Sequence, residues 1–144
     1  MSEFFPEIVT KIRTSFGNQS MMTTFGAEIQ NVDAGEVVLT SSLPASCRQQ
    51  KGFAHASVTF GLADPAAGYA ALTLMPVDAD VLTTEMKINL LAPATGDRLV
   101  AKGRVIKPGR RLIVVQADVW AETGETRRHV ALLTGTMMPV LTEG

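Results

Sequence analysis

Between positions 57 and 74 the chain is so poor in large side chains that little can be built around it except by close approach. Ala63, Ala66, Ala67, Gly68, Ala70 and Ala71 would give a helix here a small-residue surface. Packing distance is set by the side chains at a contact. Such a helix therefore lets a sheet wrap closely around it, or lets a second helix come near. Pro65 lies in the helix interior, where it removes a hydrogen bond and costs up to ~3 kcal/mol. It predicts a kink just after Asp64 and a carbonyl freed about one turn earlier. Met75-Pro76 and Asp78-Ala79-Asp80 end the segment. Asp64 is the one carboxylate of the run and has no cation within four residues on either side. A buried charge without a partner is costly, so Asp64 is either satisfied by distant contacts or used for chemistry.

The flanking segments say what could wrap this helix. Residues 3–17 have helical period: Phe4, Ile8, Ile12 and Phe16 recur every fourth position, opposite Glu7, Lys11 and Arg13. Gly17-Asn18 is the stop, and Pro6 falls where a first turn tolerates it. The polar face is neither long nor basic, so this helix is expected to pack on the domain rather than lie on a membrane. Residues 20–26 are apolar and irregular, a short turn or a flap over a pocket. From Ala27 the period changes to two, and residues 28–32 and 36–40 flank Asp33-Ala34-Gly35 as a hairpin. A polar, glycine-bearing loop then runs from Gln49 to the lone His55.

Four strands follow the helix. In residues 82–90 the even positions are mostly apolar and the odd ones polar. Residues 99–106 and 128–140 are further strands. Residues 112–121 are apolar except for Gln116 and Asp118, which places them centrally in a sheet. Helix, two strands, long helix and four strands make an α+β chain, with the long helix on one face of an antiparallel sheet. A length of 144 residues predicts one domain (1–144), with the sheet and helix occupying about 25–140.

Composition removes several function classes. Net charge is −1 and there is no basic stripe with interleaved aromatics, so a nucleic-acid partner is not expected. One Cys and two His cannot form a usual protein zinc site, and neither a metal nor a cofactor is expected. Cys47 is alone, which fits a reducing compartment. Its one neighbouring cation, Arg48, is a weak activator of a thiolate. No serine sits in a nucleophile-elbow pattern. No apolar run approaches the ~20 residues of a membrane span. The N-terminus opens on acidic residues rather than a basic leader, so the expected location is the cytoplasm.

The segment from Gln49 through Lys51-Gly52-Phe53-Ala54-His55-Ala56, followed by Leu62-Ala63-Asp64, resembles the loop-to-helix signature of the PaaI-type acyl-CoA thioesterases. The strand Glu85-Met86-Lys87-Ile88-Asn89-Leu90, the Gly109-Arg110 turn and the terminal Gly135-Thr136-Met137-Met138 are similar to later parts of that family. The likeness spans about 25–140. It implies the hotdog fold, a six-stranded antiparallel sheet curled around the central helix, here with an extra N-terminal helix. It implies hydrolysis of an acyl-CoA to the free acid and CoA, in a homodimer or a dimer-of-dimers tetramer whose sites are composite. Gln49, His55 and Ala56 would come from one subunit, Asp64 and Thr83 from the other.

In the reaction the resemblance implies, the amides of Ala56 and Ser57 at the helix N-terminus polarise the thioester carbonyl. Asp64 is general base, or nucleophile through an anhydride. Gln49 holds the water or the thioester, and Thr83 positions water. His55 either does acid–base work or holds the loop. Arg110 and Arg111, presented by Gly109, are the candidates for the CoA phosphates. Phe53, Phe60, Met86 and Leu90 are the candidate acyl lining, which suits aryl or medium-chain groups. Three positions depart from the family pattern: Ala56-Ser57 in place of Gly-Gly, Lys51 where many relatives have His, and Pro65 directly after Asp64. The alternative is a non-catalytic acyl-CoA or small-ligand binding protein on the same fold.

Overall fold

A computed structural model describes residues 6–141. Helix α1 is Pro6–Gly17, α2 is the short Ser20–Thr24, and α3 is Ala56–Leu72. The strands are β1 Ala27–Asp33, β2 Glu36–Ser41, β3 Ala79–Leu90, β4 Arg98–Lys107, β5 Ile113–Thr123 and β6 Thr126–Leu141. They form one six-stranded sheet in the order β1-β2-β4-β5-β6-β3, with every pair antiparallel. The α+β class, the hairpin at Ala34-Gly35 and the interior position of β5 follow the sequence expectation. The residues expected to start the first helix, Glu3, Phe4 and Phe5, lie outside the described residues. The stretch 20–26 forms α2 and the turn after it. Among the described residues no helix is long and apolar enough to cross a membrane.

The sheet wraps α3 because small residues face each other across the contact. A Cβ added to Gly103 on β4 would stand 2.2 Å from the backbone of Ala66. Strand and helix thus meet almost backbone to backbone, and Ala63, Ala66, Ala67, Ala70 and Ala71 are fully buried around that point. Leu39, Leu99, Val115, Val119 and Leu133 close the core from the sheet side. The helix starts one residue before the expected 57 and ends two before 74. It continues through Pro65 to Leu72, and the missing proline N–H leaves the Gly61 carbonyl, four residues earlier, without its helical donor.

Helix α1 lies on this layer through Ile8 and Ile12, both buried, and through Phe16, whose ring centroid is 6.5 Å from that of Tyr69. Lys11 Nζ donates to the Val77 carbonyl at 2.6 Å and to the Ala79 carbonyl, which ties α1 to the link between α3 and β3.

One strand departs from its expected alternation. Pairing of β3 with β6 shifts register between Thr83 and Glu85. Beyond that bulge the even residues Met86 and Ile88 face the helix, as their pattern predicts. Before it the odd residues do: Ala79 is buried, Val81 packs on the core, and Leu82 is 54% exposed. An extra residue in one strand exchanges its two faces. That exchange turns Thr83 inward.

Candidate active site

The loop before α3 is a tight, self-bonded turn. Arg48 and Ala54 bridge across it, Gln49 N–H donates to the Phe53 carbonyl at 2.8 Å, and Gly52 N–H donates to the Gln49 carbonyl at 2.9 Å. Gly52 takes φ +88°, a conformation that favours glycine. The Gln49 side-chain oxygen accepts from the Lys51 N–H, so the loop consumes the carbonyl half of the amide. The NH2 half remains to donate. Arg48 donates to the carbonyls of Gly52 (3.0 Å) and Gly96 (3.1 Å), which clamps this loop to the turn after β3.

His55 is the N-cap of α3. Its Nδ1 accepts from Ser57 N–H at 3.1 Å and lies 2.7 Å from Ser57 Oγ. An accepting Nδ1 carries no proton, so the neutral ring holds its hydrogen on Nε2. This capping decides which amides are free. Ser57 N–H is taken by the cap, and Val58 and Thr59 N–H point back to the His55 carbonyl at 2.9 and 3.3 Å. The expectation that both Ala56 and Ser57 offer amides is thereby corrected, since of the two only Ala56 N–H is left without a partner among the described residues. Gln49, Phe53, His55 and Ala56 line one cleft of about 530 Å³, completed by Leu90, Leu91 and the Ala92-Pro93-Ala94 turn.

Asp64 lies in a second cleft, of about 540 Å³, with Thr83, Ser57 and Gly61. It is half-buried rather than fully buried. Its Oδ1 accepts from Thr83 Oγ1 at 2.7 Å, and Oδ2 has no hydrogen-bond partner among the described residues. No cation pairs with it among the described residues. One oxygen is thus held by a hydroxyl and the other keeps its lone pairs for a ligand. Thr83 Oγ1 also lies 3.3 Å from Met137 Sδ, which fixes its rotamer.

A single chain does not unite these two halves. Ala56 and Asp64 are eight residues apart on α3, about 12 Å along the axis. A carbonyl bound at Ala56 N–H is out of reach of the Asp64 carboxylate of the same chain.

The other expected residues fall elsewhere. Gly109 and Arg110 line a hollow of about 370 Å³ with Leu74, Met75 and Pro76, at the C-terminal end of α3. Arg111 beside them is exposed. They share a site with neither cleft of their own chain. Phe60 and Met86 pack against the core instead of lining either cleft, while Phe53 and Leu90 line the Gln49 cleft. Arg127 stacks on Trp120 at 3.8 Å, and His129 pairs with Asp118 at 2.9 Å.

Sequence reasoning missed the far end of the Asp64 cleft. There Tyr69 presents its hydroxyl to Ser15 at 3.0 Å and accepts from Gln19 Nε2, and Met21, Met22 and Phe25 form a wall. The available signal was Tyr69 itself, the single tyrosine of the chain, set among alanines.

Comparison with known proteins bears on the family and the fold. The family model of the thioesterase superfamily matches residues 51–127. A thioesterase family protein of Silicibacter pomeroyi superposes with a TM-score of 0.91 at 39% identity, covering 94% of this chain and 99% of that one. The Escherichia coli PaaI protein, from the phenylacetic acid degradation operon, shares the fold with a TM-score of 0.84 at 22% identity over 96% of each chain. A provisionally named esterase of Saccharolobus solfataricus is 29% identical over 117 residues, 81% of this chain and 77% of that one. The fold is the hotdog fold, and the chain belongs to the thioesterase superfamily and is a thioester hydrolase.

Proposed function

We propose that the protein hydrolyses an acyl-CoA thioester to the free acid and CoA, in a site built from two copies of the chain. The observation that carries the reading is Asp64, a carboxylate with Oδ1 held by Thr83 and Oδ2 open to a cleft. The thioester oxygen accepts from Ala56 N–H at the positive end of α3, with the Gln49 NH2 as a second donor. Such donors matter most where charge develops on the oxygen in the tetrahedral intermediate. Asp64 of the second copy takes a proton from the attacking water, which adds to the carbonyl carbon. Collapse of the intermediate expels the CoA thiolate, which is then protonated. In the covalent variant, Asp64 attacks first and water hydrolyses the anhydride. His55 caps the helix and orients Ala56.

The reading calls for a dimer. Strand β3 is an edge of the sheet, twelve residues long, and Leu82 and Leu90 on it are 54% and 58% exposed. A long unpaired edge is a template for pairing with a second chain. Joining two β3 edges antiparallel supports the composite site, because the Gln49 cleft includes the C-terminal end of β3 and the Asp64 cleft its N-terminal half. Arg110 and Arg111 then serve the CoA phosphates from a neighbouring copy, as a dimer or a tetramer. No cofactor is required, CoA being part of the substrate, and a cytoplasmic location suits it.

The test is thiol release from a panel of acyl-CoAs. Asp64→Asn keeps the shape and removes the proton acceptor, and general-base help is worth ~10²–10⁴-fold. We expect kcat to fall by about that much while the protein stays folded. Wild-type turnover in a well-folded Asp64→Asn protein would remove Asp64 from the chemistry.

A further inference from the structure

The Asp64 cleft has an end, and that end lies a short distance from the carboxylate. Ser57, Gly61, Asp64, Pro65, Gly68 and Tyr69 fall on one face of α3 and line the cleft in that order. Its opposite wall comes from α1 and α2, which lie outside the segment matched by the family. The two glycines on the α3 side differ. A Cβ at Gly61 would stand 2.6 Å from the Phe25 ring, so packing demands glycine there. A Cβ at Gly68 would meet nothing closer than 3.9 Å, at Met137 Cε and Val81 Cγ1. A Cβ at 68 would thus sit in ordinary contact with its neighbours, so packing does not demand glycine there, and its absence leaves the cleft wall one side chain wider beside Asp64.

Beyond Gly68 stands Tyr69, 4% exposed, with its hydroxyl bonded to Ser15 and Gln19. These groups satisfy one another across three elements. Ser15 is exposed and Gln19 half-buried, so it is the buried tyrosine hydroxyl that an apolar chain pushing past them would leave unpaired.

We propose that this cleft is a length gauge for the acyl group. Tyr69, locked by Ser15 and Gln19, sets its end, and Gly68 sets its width. The proposal rests on the reading that the acyl group lies beside Asp64. Five residues separate Asp64 from Tyr69, about 7.5 Å of helix rise. An extended alkyl chain advances roughly 1.25 Å per carbon from bonds of about 1.5 Å. The gauge therefore admits about four to six carbons beyond the thioester, or a single ring of that length, and rejects longer chains.

The experiment measures kcat/KM across saturated acyl-CoAs from acetyl to dodecanoyl, for wild type, Gly68→Val, Tyr69→Phe and Gln19→Ala. In parallel, calorimetry measures binding of unhydrolysable S-alkyl-CoA thioethers of the same lengths to the same proteins. Wild type should peak between butyryl and hexanoyl and fall at least ~10-fold by dodecanoyl, the ratio for one unpaired buried group. Gln19→Ala and Tyr69→Phe should move the optimum to longer chains, and Gly68→Val to shorter ones. Gln19 and the tyrosine hydroxyl can be removed without disturbing the core, so the test survives if Gly68→Val fails to fold. A flat length profile, or variants that leave the optimum in place, overturns the gauge. Thioether binding with the expected optimum but no hydrolysis of any acyl-CoA upholds the gauge and overturns the acyl-CoA hydrolase reading. Absence of thioether binding at every length overturns the gauge.

Discussion

Ala56→Pro deletes one hydrogen and little else. Ala56 is the first residue of α3, with His55 as its cap. Proline is favoured at that position, where the missing N–H has no helical partner and the fixed φ already suits the helix. The residue before a proline must be extended, and His55 is, at φ −61° and ψ 140°. Ala56 N–H makes no hydrogen bond among the described residues, so none is lost there. Stability should stay level or rise by ~0.4–1 kcal/mol, since the unfolded chain loses freedom. Activity should not survive. His55 Nδ1 occupies the next amide and the two after it bond to the His55 carbonyl, so no neighbouring backbone donor can substitute. Loss of one oxyanion donor costs ~10²–10³-fold in kcat. Retention of the Gln49 amide points to the lower end, about 10²-fold. The assay is thiol release under saturating acyl-CoA together with a thermal melt on the same sample. Ala56→Gly, which keeps the N–H, is the control and should retain activity. Near-wild-type kcat in a folded Ala56→Pro protein would refute the assignment of the thioester oxygen to this helix end.

Mixing Ala56→Pro with Asp64→Asn and allowing the subunits to exchange should restore activity to about a quarter of wild type, because half the dimers are mixed and each holds one intact composite site. No recovery after demonstrated exchange would place both halves in one chain. Replacing Arg110 and Arg111 together by Ala should raise KM for a CoA thioester more than it lowers kcat, since contacts remote from the carbonyl act equally on ground and transition states. An unchanged KM would move the phosphate site elsewhere. Gly103→Ala forces a Cβ to within 2.2 Å of the Ala66 backbone, which cannot step aside as a flexible side chain would. Overpacking of this kind costs ~1–3 kcal/mol, and a thermal melt should show the loss.

The sequence carried the fold where composition and geometry coincide. Alanines at 63, 66, 67, 70 and 71 make sense only for a helix that something approaches closely, and Gly103 proves to be the residue that does so. The interior place of β5 followed from its nearly unbroken apolar run. Other features left no local trace. Whether Ser57 N–H is free depends on the rotamer of His55, which capping sets and spacing does not. The burial of Asp64 was overestimated because its apolar neighbours in sequence lie largely on other faces of the helix. The end of its cleft is assembled from Ser15 and Gln19 together with Tyr69, which lies 54 and 50 positions further along and which only the folded chain brings to them.

Thr83 shows how much can depend on one unpredicted residue in a strand. Strict alternation through residues 82–90 puts Leu82 and Thr84 on the helix side and Thr83 on the outer face, where its hydroxyl could not reach Asp64. The bulge between Thr83 and Glu85 reverses the N-terminal half of the strand. Leu82 is then left exposed on the outer face, beside Met138, which is 37% exposed. Exposing apolar side chains forfeits burial worth roughly 25 cal/mol per Å². In return the Thr83 hydroxyl holds one carboxylate oxygen at 2.7 Å and leaves the other open. A regular strand would bury Leu82 and give Asp64 no such partner. The irregularity therefore belongs to the site rather than to the fold, and the exposed Leu82 beside it lies on the edge strand that the proposed second subunit would cover.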